Sequence, residues 1–303
     1  MNDAPPEAST GHRGAHWAAV FALVGSMASL TAGASFATRL FAHVGASGTT
    51  LLRVGFSAAL LLLFWRPWRV RWQRAELLGV LMFGLALGGM NLAFYLALRT
   101  VPLGVAIAIE LLGPLAVAVV YSSRGRDFLC IAIAVAGIAM LLPLGGFARR
   151  LDPVGLGWAL VAGTLWAAYI VLGKRAARRH PGPALALGLS AGALLVLPFG
   201  AITAGWALAS PVMLLSGLAL AVLSSALPYS LEMFALRRLP AQSFGVLLSL
   251  EPVLGAASGW LFLGQRLEPM QWLAIGCVVL ASVGVAAGSP APDTPPAVGP
   301  EPP

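Results

Sequence analysis

The stretch Ala97–Pro114, ALRTVPLGVAIAIELLGP, occurs again in altered form at Ala235–Pro252, ALRRLPAQSFGVLLSLEP. Ala, Leu, Arg, Pro and a distant second Pro coincide without a gap, at a constant offset of 138 from residue 97 to residue 235. Self-similarity of this kind indicates that the chain contains one structural unit twice. Each copy contains one glutamate, Glu110 in the first and Glu251 in the second, close to several apolar residues.

The composition is that of a membrane protein. Of the 303 residues 59% are hydrophobic and 10% are charged, and the mean hydropathy is +0.87. A soluble domain carries about 25% charged residues, so most of this chain cannot face water. Apolar stretches of about 20 residues cross a bilayer core of roughly 30 Å as helices. We count ten such spans, at residues 16–37, 48–65, 76–97, 102–121, 127–144, 155–173, 183–204, 211–235, 241–262 and 270–288.

The positive charges predict an orientation. With the N-terminus in the cytoplasm, 13 of the 19 Lys and Arg residues fall on the cytoplasmic side, in agreement with the positive-inside rule. Five spans per unit is an odd number, so the second unit enters the membrane from the opposite side. We therefore predict an all-α integral membrane protein with ten transmembrane helices as two inverted five-helix repeats, 15–146 and 147–288. Residues 1–14 and 289–303 are expected to be disordered cytoplasmic tails.

Glu110 lies near the centre of the fourth predicted span. A carboxylate at that depth costs roughly 2.5–3.5 kcal/mol on insertion scales, so such groups usually face an interior cavity. Pro114, one turn later, removes the hydrogen bond to the carbonyl of residue 110 and favours a helix break there. We expect Glu110 to line a transport pathway. The alternative is a purely structural pair with an arginine such as Arg53.

Two further glutamates lie beside prolines in the second unit. Glu251 directly precedes Pro252 in span nine, and Glu232 follows Pro228 by four residues in span eight. Prolines inside membrane helices mark breaks where backbone groups are freed. We expect both glutamates to line the pathway. For Glu232 the alternative is a surface ion pair with Arg237, since it lies nearer the end of its span.

Span three carries polar residues on one face. Gly84, Gly88, Asn91 and Tyr95 follow at spacings of three or four residues, and Tyr229 is the repeat partner of Asn91. Small residues at four-residue spacing let helices approach closely, so the two glycines have a packing explanation. Asn91, Tyr95 and Tyr229 are the better candidates for substrate contact.

Other residues leave two readings open. Trp166 and Tyr169 in span six either line a cavity or belong to ordinary helix packing. Arg39 and Arg53 are expected to be solvated anchors at the membrane surface. Cys130 and Cys277 both fall inside spans and are expected to be small packing residues rather than a disulfide.

The absent motifs exclude several functions. No GxxxxGK[ST] phosphate loop occurs, and the four His residues lie at or beyond span ends, so no HExxH metal site is placed in the membrane. We therefore expect neither an enzyme nor a cofactor or metal. The net charge of +8 is a signal of membrane topology and not of nucleic-acid binding.

Several motifs resemble those of the EamA branch of the drug/metabolite transporter superfamily. They are ALRTVPLG at the start of span four and LEPVLGAASGWLFLGQRL in span nine. Within that branch, the stretches GASFATRLF, GGMNLAFYLALRTVPLG, IELLGPLAVAVV, LSSALPYSLEMFALRRLP and SLEP resemble bacterial exporters of threonine and homoserine. The resemblance covers about residues 15–288. One departure concerns Leu263-Gly264-Gln265, where family members commonly carry LGE, so a role of that acid is not carried over.

The resemblance implies a bacterial inner-membrane exporter of small polar amino acids, with a cavity between the two halves and peripheral fifth and tenth spans. Its cavity-lining polar set would consist of Asn91, Tyr95, Glu110, Tyr229, Glu232 and Glu251. A zwitterion needs a receptor for its ammonium, such as Glu110 or Glu251. It also needs one for its carboxylate, such as Asn91, Tyr95, Tyr229 or backbone N–H groups near the proline breaks.

The expected function is proton-coupled export by alternating access between the repeats. The expected partners are an amino-acid substrate, protons as the coupling ion and the lipid bilayer, with no nucleic acid; no oligomeric state is predicted. One alternative keeps the fold and exports drugs or hydrophobic cations, with Trp166 and Tyr169 more important than Asn91. An alternative of another class is a membrane scaffold or sensor that carries no flux.

Overall fold

The structure is a computed structural model that describes residues 9–120, 125–139, 151–176, 179–236, 238–239 and 247–288. These residues form helices joined by turns, and none of them lies in a strand. The α-helices are α1 (Ser9–Trp65), α2 (Arg74–Ala97), α3 (Leu103–Glu110), α4 (Leu112–Val120), α5 (Gly125–Ala139), α6 (Pro153–Ala176), α7 (Pro181–Ala204), α8 (Pro211–Ala221), α9 (Leu227–Leu236), α10 (Glu251–Leu263) and α11 (Pro269–Gly288). Two short 3₁₀ helices, Pro67–Arg69 and Gly205–Ala209, and a π-helical turn, Val222–Ala226, complete them.

Four helices of the described part are long and apolar enough to cross a membrane, against ten spans expected. They are Trp17–Arg69, Arg74–Ala97, Pro153–Gly173 and Pro181–Ala209. The all-α class and the apolar helices of a membrane protein are as predicted. The expected boundaries differ in part, because spans one and two form one helical run while spans four and eight are each interrupted. The first helix begins at Ser9, inside the stretch expected to be a tail, and residues 289–303 lie outside the described part.

Helix α1 folds back on itself at Gly45, whose φ of 68° and ψ of 174° are not helical. Ser29 on its first arm donates a hydrogen bond to the Leu223 carbonyl at 2.7 Å, and Arg53 on its second arm reaches the Ser224 carbonyl at 3.5 Å. A straight helix would hold Ser29 and Arg53 about 36 Å apart. Since both reach the same turn of chain, the two arms lie side by side.

Glycines bring α2 and α7 into backbone contact. A Cβ atom added to Gly84 would overlap the backbone of Gly188, and one added to Gly88 would overlap that of Gly192. The spacing of four residues on both helices repeats this close contact along the crossing. The packing explanation for Gly84 and Gly88 therefore agrees with the structure.

Helices α5 and α11 pack through two reciprocal contacts. A Cβ atom on Gly137 would fall on Cys277, and one on Gly284 would fall on Cys130. Both cysteines are free thiols, Cys130 buried and Cys277 partly buried. They serve as packing residues, and each lies opposite a glycine of the other helix.

Hydrogen bonds from side chains connect the first half of the chain to the second near the start of α3. The Leu103 N–H donates to Gln265 Oε1 at 3.0 Å, so the turn after α10 binds the first turn of α3. Arg39 donates to the Phe262 carbonyl at the end of α10. The Thr100 hydroxyl donates to Asp152, the residue before α6, at 2.9 Å. At the opposite end of α2, Arg179 and Glu76 form an ion pair.

Candidate functional site

Arg53 lies inside the helix bundle, on the second arm of α1. Its Nη1 donates a hydrogen bond to the Tyr95 hydroxyl at 3.0 Å, and its guanidinium carbon is 5.4 Å from the centre of the Tyr95 ring. Tyr95, on α2, has no exposed surface. A cation is attracted to the face of an aromatic ring, so both the hydroxyl and the ring of Tyr95 hold the guanidinium.

The π-helical turn Val222–Ala226 faces this arginine. Arg53 Nη2 points at the Ser224 carbonyl oxygen, and the Ser57 hydroxyl donates to the Ser225 hydroxyl at 3.0 Å. The Ser224 hydroxyl is buried without a hydrogen-bond partner among the described residues. Single π turns inside α-helices are frequently found at functional sites.

Glu110 ends α3 and is buried, with 8% of its surface exposed. The helix pauses at Leu111 and resumes as α4, as the position of Pro114 predicts. The Glu110 carbonyl that the proline leaves without a donor lies against Gly163 of α6. The backbone break is therefore covered by a neighbouring helix.

Glu251 is the first residue of α10, directly before Pro252, and it is as buried as Glu110. A carboxylate in the first turn of a helix is stabilised by the backbone N–H groups and the helix dipole. Glu251 and Arg53 are both close enough to Glu110 for their charges to act on it. The structure thus gathers two carboxylates and one guanidinium from three separate helices.

Asn91 is buried on α2, one turn before Tyr95. Its Nδ2 donates to the Leu87 carbonyl of its own helix at 2.8 Å. Such a bond fixes the amide orientation and uses one of its two N–H donors. Asn91 is thus inside the bundle, as expected, but one of its two side-chain N–H donors already bonds to its own helix.

Trp166 and Tyr169 of α6 have different surroundings. Trp166 packs against the main hydrophobic core. Tyr169 stacks on Phe83, with ring centroids 5.1 Å apart, and lines an apolar cleft of about 350 Å³ between α2, α6 and α7. Of the two readings left open by the sequence, packing suits Trp166 and a cavity suits Tyr169.

Tyr229 and Glu232 belong to α9, but their side chains lie outside the described residues. Pro228 beside them is buried, and its carbonyl accepts a hydrogen bond from the Ser26 hydroxyl at 2.8 Å. The break expected at this proline is preceded by the π turn Val222–Ala226.

The sequence indicated two of the three charged members of this cluster and gave Arg53 the wrong surroundings. An arginine near a span end was expected to be a solvated anchor, which fits the exposed Arg39 but not Arg53. The helical fold-back at Gly45 turns Arg53 towards Tyr95. The remaining hint in the sequence was the alternative that pairs Glu110 with Arg53.

Comparisons with known proteins agree on one family. Residues 153–287 match the EamA-like transporter family. The chain is 47% identical over 268 residues to the threonine/homoserine exporter RhtA of Escherichia coli strain K12. The aligned region covers 88% of this chain and 91% of that protein. The threonine/homoserine exporter RhtA of Salmonella typhimurium strain LT2 is similar to the same extent. A solved structure described as a crystal structure of a protein has the same fold, with a TM-score of 0.58 at 17% identity over 90% of this chain and 95% of its own.

Proposed function

This chain belongs to the EamA-like transporter family, and on that premise we propose that it exports threonine, homoserine or similarly small amino acids. The observation that carries the proposal is the 47% identity to exporters named for these substrates, over 88% of the chain. The family consists of transporters, so the chain is not an enzyme, as the missing catalytic motifs predict.

The proposed topology is ten crossings in two inverted repeats of a bacterial inner membrane, with both termini in the cytoplasm. Three observations support it. The charge distribution follows the positive-inside rule. The fold-back at Gly45 divides α1 into two arms, which we propose are two separate crossings. The reciprocal contacts of α5 and α11 are those that a pseudo-twofold axis produces, since each helix offers the same pair of residues to the other.

The proposed substrate site is the cluster of the partly buried Arg53 with the buried Glu110 and Glu251. An amino acid carries a carboxylate and an ammonium on one carbon, and this cluster offers one cation and two carboxylates. Asn91 and Tyr95 lie on the adjoining face of α2, and Tyr229 and Glu232 on α9 are proposed to complete the site. In the sequence, Pro114 follows Glu110 by four residues and Pro252 directly follows Glu251, and Pro228 lies in α9 after the π turn.

Proton exchange follows from the charges of the cluster. Among the described residues, two carboxylates lie near one guanidinium, and we propose that either a proton or the substrate ammonium balances the second carboxylate. A glutamate that binds one or the other, but not both, couples outward movement of substrate to inward movement of protons. Glu110 and Glu251 are the proposed carriers of this competition.

In an alternating-access transporter, contacts between the two halves close the substrate site on one side of the membrane. These contacts must break for the site to open to that side. The bonds from Leu103 to Gln265 and from Arg39 to Phe262 join the two halves at the end that the proposed topology makes extracellular. Thr31 and Ser258 add a hydrogen bond at 2.9 Å between α1 and α10. We propose that α10 closes the outer side in this conformation.

One observation favours a second candidate, an exporter of hydrophobic cations. The cleft lined by Phe83 and Tyr169 is apolar and has stacked aromatic rings, which suit an aromatic cation. This candidate predicts that aromatic cations compete with threonine for transport.

A substrate panel in proteoliposomes separates these functions. We expect the wild-type chain to carry labelled threonine and homoserine, with weak competition from aromatic cations. Strong competition, lost on Tyr169→Ala, would favour the hydrophobic-cation exporter. Folded protein that carries neither class would favour a scaffold or sensor.

A further inference from the structure

We propose that one end of the helix bundle binds an anionic phospholipid, with its phosphate among arginines and one acyl chain in the cleft beside Phe83 and Tyr169. Two stretches of sequence, 66–76 and 174–180, meet at this end, and their described residues are called the basic end below. The inference concerns a lipid, so it does not depend on which substrate the chain exports.

The two stretches carry a large excess of positive charge. RPWRVRWQRAE at 66–76 and KRAARRH at 174–180 together contain eight Lys and Arg residues and one acidic residue, Glu76. Glu76 pairs with Arg179 at 3.2 Å, so its carboxylate balances one of these charges and leaves the others in excess. Clusters of about four to eight basic residues beside a membrane helix attract anionic lipid headgroups.

Contacts between described residues bring the two stretches together. The rings of Trp72 and His180 meet edge-on, with their centroids 5.7 Å apart. Next to them Trp65 covers Gly182, where an added Cβ atom would overlap the indole ring. Arg179 keeps 65% of its side chain exposed although it forms an ion pair. The other described arginines of the basic end are also exposed, namely Arg66, Arg69, Arg71, Arg74 and Arg175.

The basic end lies at the level of the lipid headgroups. All four membrane-length helices of the described part begin or end there, at Arg69, Arg74, Gly173 and Pro181. Tryptophans are enriched at this level of a bilayer, and Trp65 and Trp68 are both exposed. Lipid phosphates therefore lie at the same level as the arginines.

An apolar cleft begins next to these charges. Its volume is about 350 Å³, and it lies between α2, α6 and α7. Gly173 and Ala176 in the last turn of α6 line it, together with Pro181 at the start of α7. The cleft thus reaches the residues that border the basic end, and its apolar lining suits a hydrocarbon chain.

The spacing along α2 fits one lipid. Glu76 and Phe83 are seven residues apart, so they lie on the same face of the helix. The Arg179–Glu76 pair is therefore about 10 Å along the helix from the part of the cleft that Phe83 lines. One leaflet of a bilayer holds about 15 Å of hydrocarbon, so an acyl chain below a phosphate at Arg179 reaches past Phe83.

The test is native mass spectrometry of the purified full chain, titrated with phosphatidylglycerol or with phosphatidylcholine of the same acyl chains. We expect one phosphatidylglycerol to bind more tightly than the first phosphatidylcholine. Arg179→Gln should weaken phosphatidylglycerol binding about fivefold, the effect of one arginine near a membrane surface, and leave phosphatidylcholine binding unchanged. Arg99→Gln is the matched control, because Arg99 is an exposed arginine just beyond the other end of α2. It should change neither affinity.

Glu76→Gln tests the sign of the charge effect. It releases Arg179 from its ion pair, and the new amide oxygen can still accept the hydrogen bond from the Gln73 N–H. We expect phosphatidylglycerol to bind more tightly to this variant than to wild type. A change that only loosened the fold would not strengthen lipid binding.

Ala176→Phe tests the cleft, because the larger side chain occupies the space of the acyl chain. We expect it to weaken binding of both lipids. Ala201→Phe is the matched control, since Ala201 is exposed near the far end of α7. Phosphatidylglycerol with six-carbon chains should likewise bind wild type more weakly than the full-length lipid, and this comparison decides if Ala176→Phe does not fold.

Three results would overturn the inference. Equal affinity for the two headgroups, or equal losses in Arg179→Gln and Arg99→Gln, would show only general attraction to a charged surface. Full affinity for the six-carbon lipid would show that the cleft holds no acyl chain. Displacement of phosphatidylglycerol by an equal concentration of glycerol 1-phosphate would identify a site for a soluble phosphate instead of a lipid.

Discussion

Gln265 Oε1 accepts a hydrogen bond from the backbone N–H of Leu103 at 3.0 Å, and so caps the first turn of α3 from the turn that follows α10. The family resemblance implies a glutamate at this position, which has the same reach and adds a charge. The N–H groups that begin a helix have no partner within it and attract negative charge. The geometric role of the position is therefore kept in this chain without the charge.

Gln265→Glu should stabilise the protein by about 0.3–1 kcal/mol, because its carboxylate strengthens the bond to Leu103 and interacts with the α3 dipole. Thermal unfolding in detergent measures the change. Gln73→Glu, at the start of α2, places a carboxylate on a helix within one half and is the control. We expect both variants to be more stable, but only Gln265→Glu to slow export, since only that bond joins the halves. Equal export rates would argue against a gate at Gln265.

Gly88→Ala should destabilise the protein by roughly 1–3 kcal/mol, as overpacking does, because a Cβ atom there overlaps the backbone of Gly192. Gly79→Ala is the matched control on the same helix, since no atom lies within contact distance of its Cβ position. For Gly79→Ala we expect the free energy of unfolding to rise by about 0.5–1 kcal/mol, because alanine favours the helix more than glycine does. Thermal unfolding of both variants tests the contact, and a tolerated Gly88→Ala would refute it.

Asp152 should make stability depend on acid pH. The hydrogen bond from the Thr100 hydroxyl, followed by those from the Val154 and Gly155 N–H groups, lowers the pKa of Asp152 below its ordinary value. Because the folded pKa is the lower one, its contribution is present above the unfolded pKa and is lost as pH falls through the folded pKa. We expect Asp152→Asn to melt lower than wild type near pH 7 and the difference to close below about pH 4.

Thr100→Val provides the control for Asp152, because it removes the largest cause of the lowered pKa while keeping the carboxylate. Its own melting difference from wild type should likewise shrink in acid. A gap between wild type and Asp152→Asn that stays constant from pH 7 to acid would show that the charge of Asp152 contributes nothing.

The sequence predicts the class of this fold better than its boundaries. Continuous apolar stretches indicate membrane helices wherever they lie, and Pro114 correctly marks the break after Glu110. The fused helix α1 is not predictable in the same way. A glycine is common in membrane helices, so Gly45 does not stand out locally, and its fold-back conformation accompanies the packing of both arms against one π turn.

The sequence predicts those members of the candidate site whose charge is unusual for their position in the chain. Glu110 and Glu251 stand out because a carboxylate in an apolar stretch is costly. Arg53 does not, since an arginine near the end of a span usually anchors the helix at the surface. Its role depends on the distance to Tyr95, which arises from the fold of α1 and has no local signal.

Glu110→Gln should abolish proton coupling, because the amide has no proton-binding site of comparable strength and no charge for the ammonium. Glu76→Gln is the matched control, since Glu76 lies in an ion pair with Arg179 at the end of α2, away from the cluster. Its flux should equal that of wild type.

Flux of labelled threonine into proteoliposomes, with and without an imposed pH gradient, tests the central claim most directly. For wild type and Glu76→Gln we expect uptake driven by the gradient, and for Glu110→Gln we expect that uptake to be lost. Gradient-driven uptake that persists in Glu110→Gln would remove the proton role of Glu110. Folded wild-type protein without threonine or homoserine flux would contradict the claim that this chain exports amino acids.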